Sequence, residues 1–133
     1  MDVLAISDQP LTVLALRSLL RQASPAAQVF DASHLGEAMA MLGKREQFGM
    51  IVLDLDAHGV RCVGTPALIR QMWPSVPLVL LASRECDVSI VRAVELGVSG
   101  YVLKTARTEE LRRACAILLD GGIYVPEPAL EMT

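Results

Sequence analysis

Three acids and one lysine hold most of the chemistry available to this sequence. Asp8 falls just after a short apolar run at 3–6, Asp54 and then Asp56 follow a run at 50–53, and Lys104 follows a run at 101–103. Carboxylates facing a lysine across adjacent strand ends can hold a divalent cation, with the ammonium balancing the remaining charge. Such a site suits phosphoryl transfer to a carboxylate, because metal and ammonium both stabilise the oxygens of the transferring group. Asp8 and Asp56 are also readable as ordinary loop acids, since polar residues are common at strand ends. Asp54 resists that reading: it follows four apolar residues of a central strand and would be costly to bury without a partner. Lys104 adds weight, because the chain has ten arginines and only two lysines.

These positions make sense only if the apolar runs are strands. The runs at 3–6, 29–30, 50–53, 78–81 and 101–103 are too short for helices and apolar throughout, as a parallel sheet covered on both faces requires. Between them apolar residues recur at helical spacing, for example Leu11, Leu14 and Leu19, then Ala38, Met41 and Leu42, then Ile90, Val91 and Val94. The pattern is five repeats of strand then helix, and in such sheets functional groups gather beyond the carboxyl ends of the strands. Punctuation agrees. Thr65-Pro66 and Thr108 look like helix starts with capping hydroxyls, Asp87 can cap the fourth helix, and Gly97 and Gly121-Gly122 look like helix ends.

Composition narrows the function classes. A 133-residue chain with 53% apolar residues fits one domain. A net charge of −3 and only five aromatic residues argue against a nucleic-acid surface or stacking platform. No apolar stretch approaches the roughly 18 residues of a membrane span, and the start lacks a signal peptide's basic region. A cytoplasmic protein without membrane contact is the expectation. Cys62, Cys86 and Cys115 lack metal or redox spacing, and His34 and His58 are not paired with them. The first turn lacks glycines for a nucleotide or flavin, and no base–nucleophile pair marks a hydrolase.

The chain resembles the response-regulator receiver domains, specifically the NarL/FixJ (LuxR-type) group. The resemblance rests on Ser7-Asp8-Gln9-Pro10, Val52-Leu53-Asp54-Leu55, Gly97-Val98-Ser99-Gly100-Tyr101-Val102-Leu103-Lys104 and Asp120-Gly121-Gly122-Ile123-Tyr124-Val125. It implies an α/β, flavodoxin-like (βα)5 three-layer sandwich with parallel sheet order 2-1-3-4-5. It also implies Asp54 as phosphoacceptor, Lys104 as phosphate partner, and magnesium held by Asp8, Asp54 and the Asp56 backbone carbonyl. Tyr101 looks like the family's switch aromatic, and the position of its partner hydroxyl falls on Ala82. Ser7 stands where receivers usually carry a second acid, so weaker magnesium binding is expected. His58 replaces a usual proline, and Cys62 a usual glycine. Ala82 has no donor to draw inward, so coupling from Asp54 to Tyr101 should be weak, and Tyr101 has room to sit inward without phosphate.

The resulting expectation is a receiver at 1–124 that regulates rather than catalyses. It is phosphorylated by a partner sensor histidine kinase and controls a DNA-binding output domain absent from this chain. Residues 125–133 read as a tail or the start of a linker. DNA contact is expected only through the absent helix-turn-helix, and a homodimer through the segments at 88–96, 101–103 and 108–119. The alternative is a phosphorylation-independent pseudo-receiver acting as an interaction module, favoured by Ser7 and Ala82.

Overall fold

The computed structural model describes residues 1–44, 47–61, 64–83 and 87–126, with the side chains of 87–90 left aside. Strands and helices alternate strictly: β1 Asp2–Ile6, α1 Pro10–Ala23, β2 Gln28–Ala32, α2 Leu35–Lys44, β3 Phe48–Asp54, α3 Gly64–Met72, β4 Leu78–Ala82, α4 Asp87–Leu96, β5 Gly100–Leu103 and α5 Thr108–Leu119. All neighbouring strands are parallel, and the sheet order is β2-β1-β3-β4-β5. This is the expected flavodoxin-like sandwich. Cys62, Cys86 and Pro128, and the side chains of Asp87 and Ile90, lie outside what is described.

Successive residues of a strand face opposite sides of the sheet, so one apolar run supplies two cores. Val3, Met50, Val52, Val79, Leu81 and Val102 pack with Leu20, Cys115 and Leu118 of α1 and α5. Leu4, Ile6, Ile51, Leu53, Leu80 and Tyr101 pack on the other side with Ala38, Leu42, Ile69 and Ala93 of α2, α3 and α4. Both faces of β3 are covered, which is why its run is apolar throughout and does not alternate. Each fully buried Leu or Ile contributes about 1.5–3 kcal/mol relative to exposure.

Helix boundaries were only partly legible. Gly97 and Gly121 adopt φ of 74° and 86°, the left-handed conformation expected after α4 and α5. Thr108, expected to cap α5, is instead its first helical residue. The cap position is Arg107, which makes no side-chain cap hydrogen bond, while Glu109 and Glu110 occupy the first turn as the dipole favours. Thr65 also lies inside its helix, and its hydroxyl accepts the Arg61 N–H at 3.0 Å upstream. After α5 the chain returns to the sheet: Tyr124 forms a parallel bridge with Gly100, and its carbonyl accepts the Tyr101 N–H at 2.9 Å. Tyr124 and Pro126 are buried and Val125 packs on the core, so the chain stays docked through Pro126.

Candidate functional site

β1 and β4 flank β3, with Ile6 opposite Leu53 and Asp54 opposite Leu81, and β5 lies beyond β4. The carboxyl ends of β1, β3, β4 and β5 therefore form one rim, and Ser7, Asp54, Ser83 and Lys104 meet along it. Pro10 opens α1 at its first helical position, where a missing N–H costs nothing, and holds Gln9 extended at φ −106° and ψ 104°. That turn aims Gln9 across the rim toward Lys104.

Asp54 is 1% exposed, and its carboxylate takes three partners among the described residues. Oδ1 lies 2.8 Å from Lys104 Nζ and accepts the Asp56 N–H at 2.9 Å. Oδ2 accepts the Ser7 hydroxyl at 2.7 Å. Ser7, itself 3% exposed, accepts the Gln9 N–H at 3.1 Å, so its hydroxyl is oriented before it reaches Asp54. Sequence reasoning treated Ser7 as a missing charge; the structure adds that it is a donor to the central carboxylate. Charge-assisted bonds of this kind, with the ion pair, are what make burial of Asp54 tolerable.

Lys104, with a side chain 17% exposed, uses its ammonium three ways: toward Asp54 Oδ1, toward Asp56 Oδ2 at 3.0 Å, and as donor to Gln9 Oε1 at 2.9 Å. Gln9, which the sequence reading passed over as part of a turn, also accepts the Thr12 hydroxyl at 3.2 Å. Its only sequence signal was its place between the first strand end and Pro10. Asp56 was expected to matter through its backbone carbonyl, yet its carboxylate also enters the site, accepting the Ser83 N–H at 2.8 Å. Burial opposes ionisation of Asp56, but the Lys104 hydrogen bond, the Ser83 amide and hydroxyl, and the Lys104 charge outweigh it and hold the pKa below the usual carboxylate value.

Asp8 stands exposed at the rim, and its Oδ2 accepts the His58 N–H at 3.1 Å, so His58 contributes its backbone here. Ala82 and Tyr101 belong to the opposite face, packed within the α2, α3 and α4 core; Tyr101 is 1% exposed and turned inward. Among the described residues no three His, Cys, Asp or Glu side chains converge as a metal cage. Asp8, Asp54 and the Asp56 carbonyl are all oxygen donors, the ligand chemistry that magnesium takes together with waters. Cys115 is a buried free thiol whose pKa burial pushes up to about 11, which suits a core residue and not a reactive one.

A buried carboxylate at the end of the third strand of a doubly wound sheet, paired with a lysine at the end of the fifth, is the arrangement expected of a receiver domain. The chain belongs to the response regulator receiver domain family, whose pattern matches residues 3–116. It is a receiver domain of two-component response regulators. It is 28% identical over 125 residues to the nitrate/nitrite response regulator NarL of Escherichia coli K12, covering 94% of this chain and 57% of NarL. It is 27% identical over 129 residues to the transcriptional activator ExaE of Pseudomonas putida, covering 96% of this chain and 59% of ExaE. The chain thus spans a little over half the length of these relatives. Among solved structures, a LuxR family DNA-binding response regulator from Silicibacter pomeroyi superposes with a TM-score of 0.80 at 24% identity, covering 97% of this chain and 98% of that one. The isolated receiver domain of RcsB from Salmonella enterica serovar Typhimurium, with the phosphomimetic BeF3−, gives 0.81 at 21% identity, covering 99% and 97%. No helix among the described residues is long and apolar enough to cross a membrane.

Proposed function

We propose that Asp54 accepts a phosphoryl group from the phosphohistidine of a sensor kinase, and that this chain thereby controls a DNA-binding output region of a transcription regulator. The observation that carries the reading is the buried Asp54 carboxylate held 2.8 Å from Lys104 Nζ at the strand-end rim. Asp54 Oδ1 already takes two partners among the described residues, whereas Oδ2 takes only the Ser7 hydroxyl, so Oδ2 keeps an acceptor site for attack. The carboxylate oxygen forms a P–O bond as the P–N bond of phosphohistidine breaks, and the leaving imidazole takes up a proton from solvent. Lys104 stabilises the transferring oxygens. Hydrolysis reverses the state, water adding to phosphorus while the Asp54 carboxylate leaves. Magnesium, when held by Asp8, Asp54 and the Asp56 carbonyl, supplies charge neutralisation at the phosphoryl oxygens. Ser7 leaves that pocket one formal charge short, so its affinity for the ion is reduced.

The receiver module on this reading spans 1–124, with 125–133 leading toward the output region. The greater length of NarL and ExaE supports such a region, and a second copy of the chain is a further partner. The interaction-only alternative draws no support from the comparisons. Intact-mass spectrometry after incubation with a small phosphodonor and magnesium tests the assignment. One phosphoryl adduct is expected on the wild type and none on Asp54→Asn; an adduct that persists in Asp54→Asn removes Asp54, and no adduct on either protein revives the pseudo-receiver.

A further inference from the structure

The Asp56 carboxylate ties together three strand ends. Its own backbone lies two residues beyond Asp54 of β3, its Oδ2 accepts the Ser83 N–H just past β4, and the same oxygen lies 3.0 Å from Lys104 Nζ just past β5. An ammonium has three N–H bonds, and those of Lys104 are directed to Asp54, Asp56 and Gln9. No donor remains on Lys104 for a newcomer.

A phosphoryl group on Asp54 projects beyond the strand ends, into the space where these donors converge. Asp54 pairs with Leu81, so the Ser83 amide stands two residues past that partner, level with Asp56. The oxygens of the phosphoryl group therefore need Lys104 Nζ and the Ser83 N–H, the groups that Asp56 now occupies. Both occupants are anionic, and the single Ser83 N–H serves one acceptor well at a time. Bringing a further anion onto an ammonium that already holds two carboxylates adds repulsion that loss of the Asp56 contact relieves.

We propose that Asp56 is a resident competitor for the phosphoryl group: in the unmodified protein its carboxylate holds the Lys104 ammonium and the Ser83 amide, and modification of Asp54 displaces it. This rests on the reading of Asp54 as phosphoacceptor. It gives the site a moving part despite Ala82. With no hydroxyl at 82 to be drawn inward, the exchange of Asp56 for phosphoryl oxygens acts on the Ser83 backbone instead, at the carboxyl end of β4. Tyr101, already inward, need not move for this exchange.

The test uses wild type, Asp56→Asn, which removes the charge and keeps an acceptor, and Asp56→Ala, which removes the contact. Beryllofluoride is titrated by calorimetry at magnesium concentrations saturating for each protein, and the Ser83 amide is followed by NMR and hydrogen exchange. Asp56→Asn is expected to bind beryllofluoride about tenfold more tightly than wild type, the worth of one relieved charge contact. In the ligand-free protein, Asp56→Ala should expose the Ser83 amide to about tenfold faster exchange. Equal or weaker beryllofluoride binding by Asp56→Asn, or an unchanged Ser83 amide in Asp56→Ala, overturns the proposal while leaving Asp54 as acceptor. Binding that survives Asp54→Asn, or no binding to any of these proteins, overturns the reading of Asp54 and the proposal with it.

Discussion

Replacing Ser7 by aspartate reverses the polarity of the closest contact on Asp54. The wild-type hydroxyl donates to Asp54 Oδ2 at 2.7 Å between two buried residues, and a hydrogen bond to a charged group is worth about 1.5–3 kcal/mol. Ser7→Asp deletes that donor and sets a second carboxylate against the first. At about 4 Å and an effective dielectric of about 20, two unit charges repel by about 4 kcal/mol. Part of this is relieved when the pair takes up a proton, so a net loss of about 4 kcal/mol in metal-free stability is expected. For a domain of this size that lowers Tm by roughly 12–16 °C. Magnesium should narrow the gap to about 2 kcal/mol, because the variant pocket has one more charged oxygen ligand. A ligand at about 100 times its Kd stabilises by about 2.7 kcal/mol, whereas wild type should gain under about 1 kcal/mol at the same concentration. Urea denaturation followed by circular dichroism, with and without magnesium, measures both effects. A Ser7→Asp protein as stable as wild type without metal, or one that gains no more from magnesium, refutes the reasoning and points to the Asp56 carboxylate as already completing the metal site.

Two further substitutions probe other parts of the molecule. Ala82→Thr restores a hydroxyl on the strand face shared with Tyr101, and beryllofluoride should then shift NMR resonances of Tyr101 and α4 far more than in wild type; equal shifts in the two proteins would show that another residue supplies the coupling. Tyr124 donates its phenol O–H to Glu110 Oε1 at 2.6 Å. Burial, that hydrogen bond and the Glu110 charge together outweigh Arg113 and raise the Tyr124 pKa from 10.0 to about 12. A raised folded pKa means the neutral phenol is favoured in the folded state, so its stabilisation is complete below pH 10 and is lost as pH rises through 12. Urea denaturation across that range should show the decline in wild type and a flatter profile in Tyr124→Phe; parallel profiles would mean the phenol ionises alike in folded and unfolded chains.

Much of this protein is determined locally and was therefore legible in the sequence. Runs apolar throughout, separated by segments of helical period, fix five strands and five helices, because a strand buried on both faces cannot alternate. Residues that follow such runs must lie at strand ends, which located Asp8, Asp54, Asp56 and Lys104 before any pairing was known. Gly97 and Gly121 were legible because a left-handed residue after a helix needs no tertiary partner. Thr108 and Thr65 were misread because a capping hydroxyl depends on which residue the incoming loop places first, and the loop's path is set by packing. What each site residue does was decided only by the tertiary structure. Ser7 meets Asp54 across 47 positions, Asp56 meets Ser83 across 27, and Lys104 meets Gln9 across 95. Sheet order sets those encounters, and hydrogen-bond directions then decide which oxygen each donor takes. Composition gives Ser7 no charge and Asp56 one. Only the convergence of four strand ends makes the first a donor to the central carboxylate and brings the second to the ammonium beside it, because hydrogen bonds act over about 3 Å while the sequence separates their partners by tens of residues.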